Sequence, residues 1–233
     1  MSEGYAQLPL AFDHRPALSG EDLLVAPSNQ AAVAWIDRWP DWPAPALVVF
    51  GPAGCGKTHL GQVFAAASGA RAIAAEALAR EEPTRLVGEA PACLIDDAEA
   101  ILEAGLERPL LHLYNTASEG GRRLMLTARR APSRWAVKLP DLRSRLNAAL
   151  AVEIGPPDDA LIAAVLVKLF ADRQLKVDAE VVSFLLARME RSFDAARQMV
   201  AALDAAALAE RRNITVPLAR AVLAGLAAPS ENR

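Results

Sequence analysis

The amino-acid sequence predicts an α/β protein: a parallel sheet with helices on its faces, followed by a small all-helical part. Three observations carry this. Short apolar runs alternate with helical segments between residues 46 and 154, the pattern of strands buried on both faces and joined by crossovers. A glycine-rich loop stands between one such run and a helix. Beyond Gly155-Pro156-Pro157 the strand signals stop and helical periodicity continues.

The elements follow in order. Residues 1–22 lack periodicity and read as a flexible tail. Residues 29–39 have helical character closed by Pro40, and DWPAP at 41–45 reads as a linker. Four apolar runs are expected as strands, Ala46–Phe50, 71–74, Ala92–Ile95 and 123–127, with a fifth near 150–154. Helices are expected over 58–67, around 106–118 and over Pro140–Asn147. Further on, Asp158 or Asp159 caps a helix to residue 171, and Asp178 caps another to about residue 190. A third covers 193–211. A fourth covers 216–227, with Thr215 as cap and Pro217 in the first turn, where a missing N–H costs nothing. The one strand signal in this part is a short stretch at 213–216. The expected domains are a tail over 1–22, an α/β nucleotide-binding domain over 23–155 and a helical domain over 156–233.

Composition excludes several classes. A chain of 233 residues with 53% apolar side chains builds a real core and is not disordered. The formal net charge of −3 provides no global field toward nucleic acid or anionic membrane. No apolar run approaches the roughly 20 residues of a membrane helix. MSEGYAQLPLAF at the N-terminus lacks the basic start and long apolar stretch of a secretory signal. Two cysteines, Cys55 and Cys93, at no zinc or redox spacing, suit a reducing compartment. A cytoplasmic location is therefore expected.

The chemistry is concentrated at residues 51–58. GPAGCGKT matches G-x-x-x-x-G-K-[ST], with the strand ALVVF entering and a helix leaving. Glycines let successive backbone N–H groups turn inward at phosphate, and the helix N-terminus adds partial positive charge. Lys57 then neutralises the outer phosphates, and Thr58 places its hydroxyl on Mg²⁺. Downstream, ACLIDD at 92–97 ends an apolar strand in two carboxylates. Asp96 is expected in the Mg²⁺ shell and Asp97 as the group that orients or deprotonates a water. Cys55 and Cys93 read as small buried or loop residues, and Trp35, Trp39 and Trp42 as packing residues rather than a base-stacking platform.

These motifs, in this order, resemble the AAA+ P-loop domain of the bacterial initiator family DnaA, and especially its shortened members. PSNQAAVAWI at 27–36 resembles the segment that packs near adenine, which brings in Asn29. GPAGCGKTHL is very close to the family's own loop, so Gly51, Pro52, Ala53, Gly54, Cys55, Gly56, Lys57, Thr58 and His59 are implied as nucleotide-binding. CLIDDAEAI resembles the Walker B strand, and LMLTARRAP at 124–132 the sensor 1 strand. LPDLRSRL at 139–146 is similar to the box that ends in an arginine finger, which implies that role for Arg145, with Arg143 as competitor. FDAARQMVAALD at 193–204 resembles the sensor 2 helix and implies a phosphate contact at Arg197. The helical part corresponds to the family's lid domain. The implied cofactors are ADP or ATP with Mg²⁺.

Two departures matter. The family's sensor 1 strand carries an aspartate where this chain has Arg129, so self-catalysed hydrolysis is expected to be weak. DnaA continues into a DNA-reading helix-turn-helix domain; here the sequence stops at Arg233 with no basic recognition helix, so specific duplex binding is not expected.

Within the tail, Gln7-Leu8-Pro9-Leu10-Ala11-Phe12 resembles the peptide by which bacterial replication proteins bind the sliding clamp. Gln7 would hydrogen-bond in a polar pocket, and Leu8, Leu10 and Phe12 would fill apolar ones. The resemblance thus implies a regulator of replication initiation that binds the clamp and stimulates hydrolysis on DnaA through Arg145. A DnaA-like adaptor without that stimulation and a small-metabolite P-loop kinase are the alternatives. AAA+ surfaces often pair head to tail, so a homodimer is compatible.

Overall fold

The structure, a computed structural model, describes residues 14–15, 23–210 and 212–227. The chain divides into two compact units, His14–Pro156 and one that begins at Pro157.

In the first unit the elements are β1 (His14–Arg15), β2 (Leu23–Leu24), α1 (Gln30–Asp37), β3 (Ala46–Phe50), α2 (Lys57–Ser68), β4 (Arg71–Ala72), α3 (Ala75–Arg80), α4 (Pro83–Val87), β5 (Ala92–Ile95), α5 (Ala98–Glu103), α6 (Glu107–Glu119), β6 (Arg123–Ala128), a 3₁₀ turn (Pro132–Arg134), α7 (Pro140–Asn147) and β7 (Leu150–Glu153). β1 and β2 form a two-residue antiparallel pair. The main sheet has the order β4-β5-β6-β3-β7, parallel throughout.

Alternation along β3 shows why these runs are apolar without interruption. Ala46 and Val48 enter a core that also holds Ile95, Leu113 and Leu126. Leu47 and Val49 enter a second core with Phe64, Leu94 and Met125 on the opposite face. Successive side chains point to opposite faces, so a strand covered on both must be apolar at every position. Trp42 stacks on Phe64 at 5.3 Å between ring centroids and donates its indole N–H to Trp35 O at 2.7 Å. Trp39 meets the edge of the same ring at 6.3 Å. The three tryptophans are packing residues.

Sequence and structure part company at the small elements. β4 is two exposed residues at the sheet edge, although Ile73 N still donates to Leu94 O at 2.8 Å. α3, α4 and α5, of six, five and six residues, are helices the periodicity did not signal. They are too short to show a repeating apolar stripe.

The second unit contains α8 (Asp159–Asp172), α9 (Ala179–Leu186), α10 (Phe193–Glu210) and α11 (Val216–Ala227). Its own core is built from residues such as Leu166, Phe170, Leu185, Val200 and Leu203. Asp158 caps α8, its side chain accepting from Leu161 N at 2.8 Å. Asp178 precedes α9 without a side-chain cap bond. Residues 212–215 form no strand, contrary to the expectation for 213–216; they are a connection into α11.

Candidate functional site

β3 delivers the chain into the loop 51–58 at the C-terminal edge of the sheet. Gly51 N donates to Ala128 O at 3.2 Å, tying the loop's base to β6. A Cβ on Gly51 would lie 2.2 Å from Ile154 O and 3.2 Å from Cys55 Sγ, so no side chain fits there. Gly54 and Gly56 adopt φ of 70° and 96°, the left-handed region that glycine enters without penalty. α2 begins at Lys57. The Lys57 ammonium donates to Gly51 O at 2.9 Å and Pro52 O at 2.6 Å and rests 3.6 Å from Cys55 Sγ.

The loop opens on a cavity of about 190 Å³ lined by Ala53, Gly54, Lys57, Thr58, Asp96, Asp97, Thr127, Ala128 and Arg129. That is room for the phosphate end of a nucleotide. The Thr58 hydroxyl donates to Asp96 Oδ2 at 2.9 Å, and the Thr127 hydroxyl donates to Asp96 Oδ1. Asp97 N donates to Thr127 Oγ1 at 2.9 Å. Thr127 is only 1% exposed, so this hydroxyl is a fixed hinge between both aspartates. The strand order explains it. β6 lies between β3 and β5, so a β6 residue must bridge the phosphate loop and the paired carboxylates.

This donor set fits a phosphate with a hard divalent cation. Lys57 brings one ammonium to the cavity, and the left-handed Gly54 and Gly56 allow loop amides to turn toward a phosphate. Thr58 and Asp96 present oxygen ligands of the kind Mg²⁺ takes alongside retained waters. Asp97 sits in a left-handed backbone conformation at φ 54°, ψ 67°, which a non-glycine residue adopts at a cost. Its carboxylate faces the cavity with Arg129 Nη2 4.0 Å away.

The remaining expected residues are distributed as follows. Asn29 is buried and committed to its own loop, its Oδ1 accepting from Ala26 N at 2.8 Å and its Nδ2 donating to Leu24 O at 2.9 Å. His59 is half-buried in the first turn of α2. Burial raises the Cys55 thiol pKa against the opposing pull of Lys57, and burial raises that of Cys93 to about 11. Neither is poised as a nucleophile. Arg145 on α7 donates through Nε to Asp141 Oδ1 at 3.2 Å, and its guanidinium lies 5.8 Å from the Tyr114 ring centroid. Arg143 is more exposed than Arg145. Arg197, in the second unit, pairs with Asp194. Gln7, Leu8, Leu10 and Phe12 lie outside the described residues.

Two buried glutamates escaped the sequence reading. Glu99 Oε2 accepts from Arg129 N at 2.6 Å and Arg130 N at 3.1 Å, while Oε1 accepts from Arg130 Nε at 2.7 Å. Burial pushes this carboxyl up, but the Arg130 side chain and the two amides together hold it below its usual range. Glu107 accepts from Lys138 N at 3.0 and 3.1 Å and from Leu139 N at 2.8 Å, so α6 caps α7 from outside. In sequence both look like ordinary helix-surface charges. Among the described residues, no group of three or more His, Cys, Asp or Glu is arranged to hold a metal, and no helix is long and apolar enough to cross a membrane.

A parallel sheet with a phosphate loop at the end of a central strand, paired carboxylates one strand beyond the sensor strand, and a separate helical unit together define an AAA+ P-loop protein. Residues 159–223 match the family model described as "Hda, lid domain". An uncharacterized protein of Haemophilus influenzae is 28% identical over 197 residues, covering 78% of this chain and 83% of that one. The chromosomal replication initiator protein DnaA of Herpetosiphon aurantiacus is 26% identical over 247 residues, covering 94% of this chain and 52% of the initiator. This chain thus spans about half of that initiator. Domain III of the Thermotoga maritima replication initiation protein DnaA superimposes with a TM-score of 0.77 at 20% identity, covering 88% of this chain and 95% of that one. The chain is thus similar to DnaA-type AAA+ proteins along most of its length, and its helical unit to the Hda lid domain.

Proposed function

We propose that this chain is a negative regulator of replication initiation that binds an adenine nucleotide and, held on the sliding clamp, stimulates ATP hydrolysis by DnaA. The observation that carries the proposal is the presentation of α7. Its N-terminal end is clamped by Glu107, and it holds Arg145 on a fixed turn in a chain similar to DnaA-type AAA+ proteins. A guanidinium inserted into a partner's phosphate site speeds phosphoryl transfer by roughly 10³–10⁵.

The chain's own nucleotide, ADP or ATP, would be held at Gly51–Thr58, with Lys57 neutralising phosphate oxygens and Thr58 and Asp96 carrying Mg²⁺. When bound, the metal supplies charge neutralisation between phosphate oxygens. Asp97 would orient water, and Arg197 would contact phosphate from the helical unit. Gln7, Leu8, Leu10 and Phe12 would form the clamp peptide, its ordering cost lowered by Pro9. A tether raises effective concentration, so Arg145 need not bind DnaA tightly by itself.

The test is DnaA–ATP turnover with DNA-loaded clamp. Arg145→Ala is expected to cut the stimulation at least about 100-fold while clamp binding persists. Gln7→Ala/Phe12→Ala is expected to abolish clamp pull-down. One observation favours a second reading, an adaptor that recruits another factor: Arg145 already has partners in its own chain, Asp141 and Tyr114. Undiminished stimulation by Arg145→Ala, with Arg143→Ala equally silent, would leave the adaptor standing and remove the finger.

A further inference from the structure

The second unit pairs its arginines unevenly. Arg173, Arg191, Arg197 and Arg212 each have a carboxylate partner, respectively Asp204, Asp159, Asp194 and Glu210. Arg188 and Arg220 have none among the described residues. Both of these lie over one ring. The Arg188 guanidinium, just past the end of α9, is 4.3 Å from the Phe184 centroid, and that of Arg220, on α11, is 5.8 Å away. Phe184 is 8% exposed, so the ring is a fixed floor beneath two exposed cations. An aromatic face orients a guanidinium without neutralising it. Arg188 spends one N–H on Phe184 O at 3.4 Å, at the negative end of α9, which leaves its remaining donors outward. The two charges are separated by no more than the sum of their distances to the ring, about one Debye length at 0.1 M salt.

We propose that Arg188 and Arg220, with Phe184 beneath them, are a docking point for an acidic segment of a partner protein. The partner's carboxylates would fill the ionic places that the second unit leaves open. Nothing local supplies them. α11 carries no acidic residue, and Glu180, the one carboxylate of α9, pairs with neither arginine. Along α11 the neighbours of Arg220 at i−3, i+1 and i+4 are Pro217, Ala221 and Ala224, all exposed and small, so an extended chain can come close. Planar forks on an aromatic base suit carboxylates, and arginine and aromatic residues commonly dominate interface energies. Two cations match one or two carboxylates, whereas a nucleic-acid backbone is gripped through many phosphates.

The test is fluorescence anisotropy of a labelled peptide of alternating glutamate and leucine, titrated with the full chain. Binding is expected, and it should weaken as salt rises from about 50 to about 500 mM. Arg188→Ala/Arg220→Ala should weaken it about tenfold or more, as loss of charge-assisted contacts does. Arg188→Lys/Arg220→Lys keeps the charge and most of the stem but not the fork, so its loss should be about threefold. Arg173→Ala/Arg212→Ala removes the same charge from paired positions and should change the affinity by less than about twofold. Equal weakening by that control means that bulk charge attracts the peptide, and the proposal is overturned. It is overturned also if the native chain does not bind the peptide, or if Arg188→Ala/Arg220→Ala binds it as tightly as the native chain. Tighter binding of oligothymidylate or of phosphatidylglycerol vesicles, lost in the same variant, would make the occupant a phosphate-bearing ligand and remove the acidic protein.

Discussion

Removing the Glu107 carboxylate should loosen the start of α7 and with it the aim of Arg145. Glu107 is 8% exposed, and its two oxygens accept from two backbone donors, Lys138 N and Leu139 N. Leu139, at the N-cap position, has no side chain able to accept these bonds, so no local residue substitutes. Loss of an N-cap acceptor costs about 0.5–2 kcal/mol. A buried donor left unsatisfied costs about 1–3 kcal/mol. Two donors are affected, one of which gains water as the loop relaxes, so Glu107→Ala should destabilise the first unit by about 2–4 kcal/mol. Glu107→Gln keeps one acceptor oxygen and should cost about half as much. Amide exchange followed by mass spectrometry resolves the effect, because protection at residues 138–142 should fall before protection in the sheet does. In the hydrolysis assay, Glu107→Gln should lower maximal stimulation more than it weakens clamp binding. The reasoning is refuted if Glu107→Ala unfolds at the native urea midpoint and the amides of 138 and 139 keep their protection.

Three further outcomes follow from the site. Glu99 has its folded pKa depressed, so its contribution to stability is full above the ordinary glutamate value of about 4.3 and is lost as pH falls through the folded value; Glu99→Gln should flatten the acid limb of a stability–pH curve and leave its neutral portion nearly parallel to that of the native chain. Thr127→Val removes the hydroxyl that joins Asp96 to Asp97 N, and by leaving that amide without its acceptor should cost about 1–3 kcal/mol and weaken Mg²⁺-dependent nucleotide uptake in calorimetry. The thiol of Cys93 is pushed up to about 11 and is fully buried, so it should resist alkylation at pH 8 in the native chain and react once the chain is unfolded in urea.

What the sequence disclosed, and what it withheld, divides along physical lines. Strands covered on both faces announce themselves, because every position must be apolar; Ala46–Phe50 and Ala92–Ile95 have the expected ends. The phosphate loop is legible because its backbone demands glycine at fixed intervals. Pro140–Asn147 is legible because proline suits a first helical turn. The bridge through Thr127 was not, since it depends on β6 lying between β3 and β5, and linear order does not state strand order. Glu99 and Glu107 were not, because a charged residue on a helix is ordinarily solvated. The approach of distant backbone amides, joined at Glu99 by the Arg130 guanidinium, makes burial of these two tolerable. Asn29, placed near adenine by resemblance, has a further part that linear order does not state: its side-chain amide ties Ala26 N to Leu24 O.

The two unforeseen glutamates have a joint consequence. The connection from β6 to α7 begins at Arg129 on the phosphate cavity and ends at the helix that carries Arg143 and Arg145. Glu99 fixes its first residues and Glu107 its last. Between them Trp135 and Val137 are buried, and the Trp135 indole N–H donates to Arg130 O at 2.8 Å. A segment held at both ends and packed in the middle transmits a displacement as a body or not at all. A ligand touching Arg129 therefore has no soft hinge here through which to re-aim Arg145. Coupling between the chain's own nucleotide and its α7 arginines requires a second discrete arrangement of some element. Within this unit, such an arrangement would have to break one of the two glutamate clamps. A nucleotide taken up at the loop is accordingly expected to hold one geometry of this connection rather than to switch it.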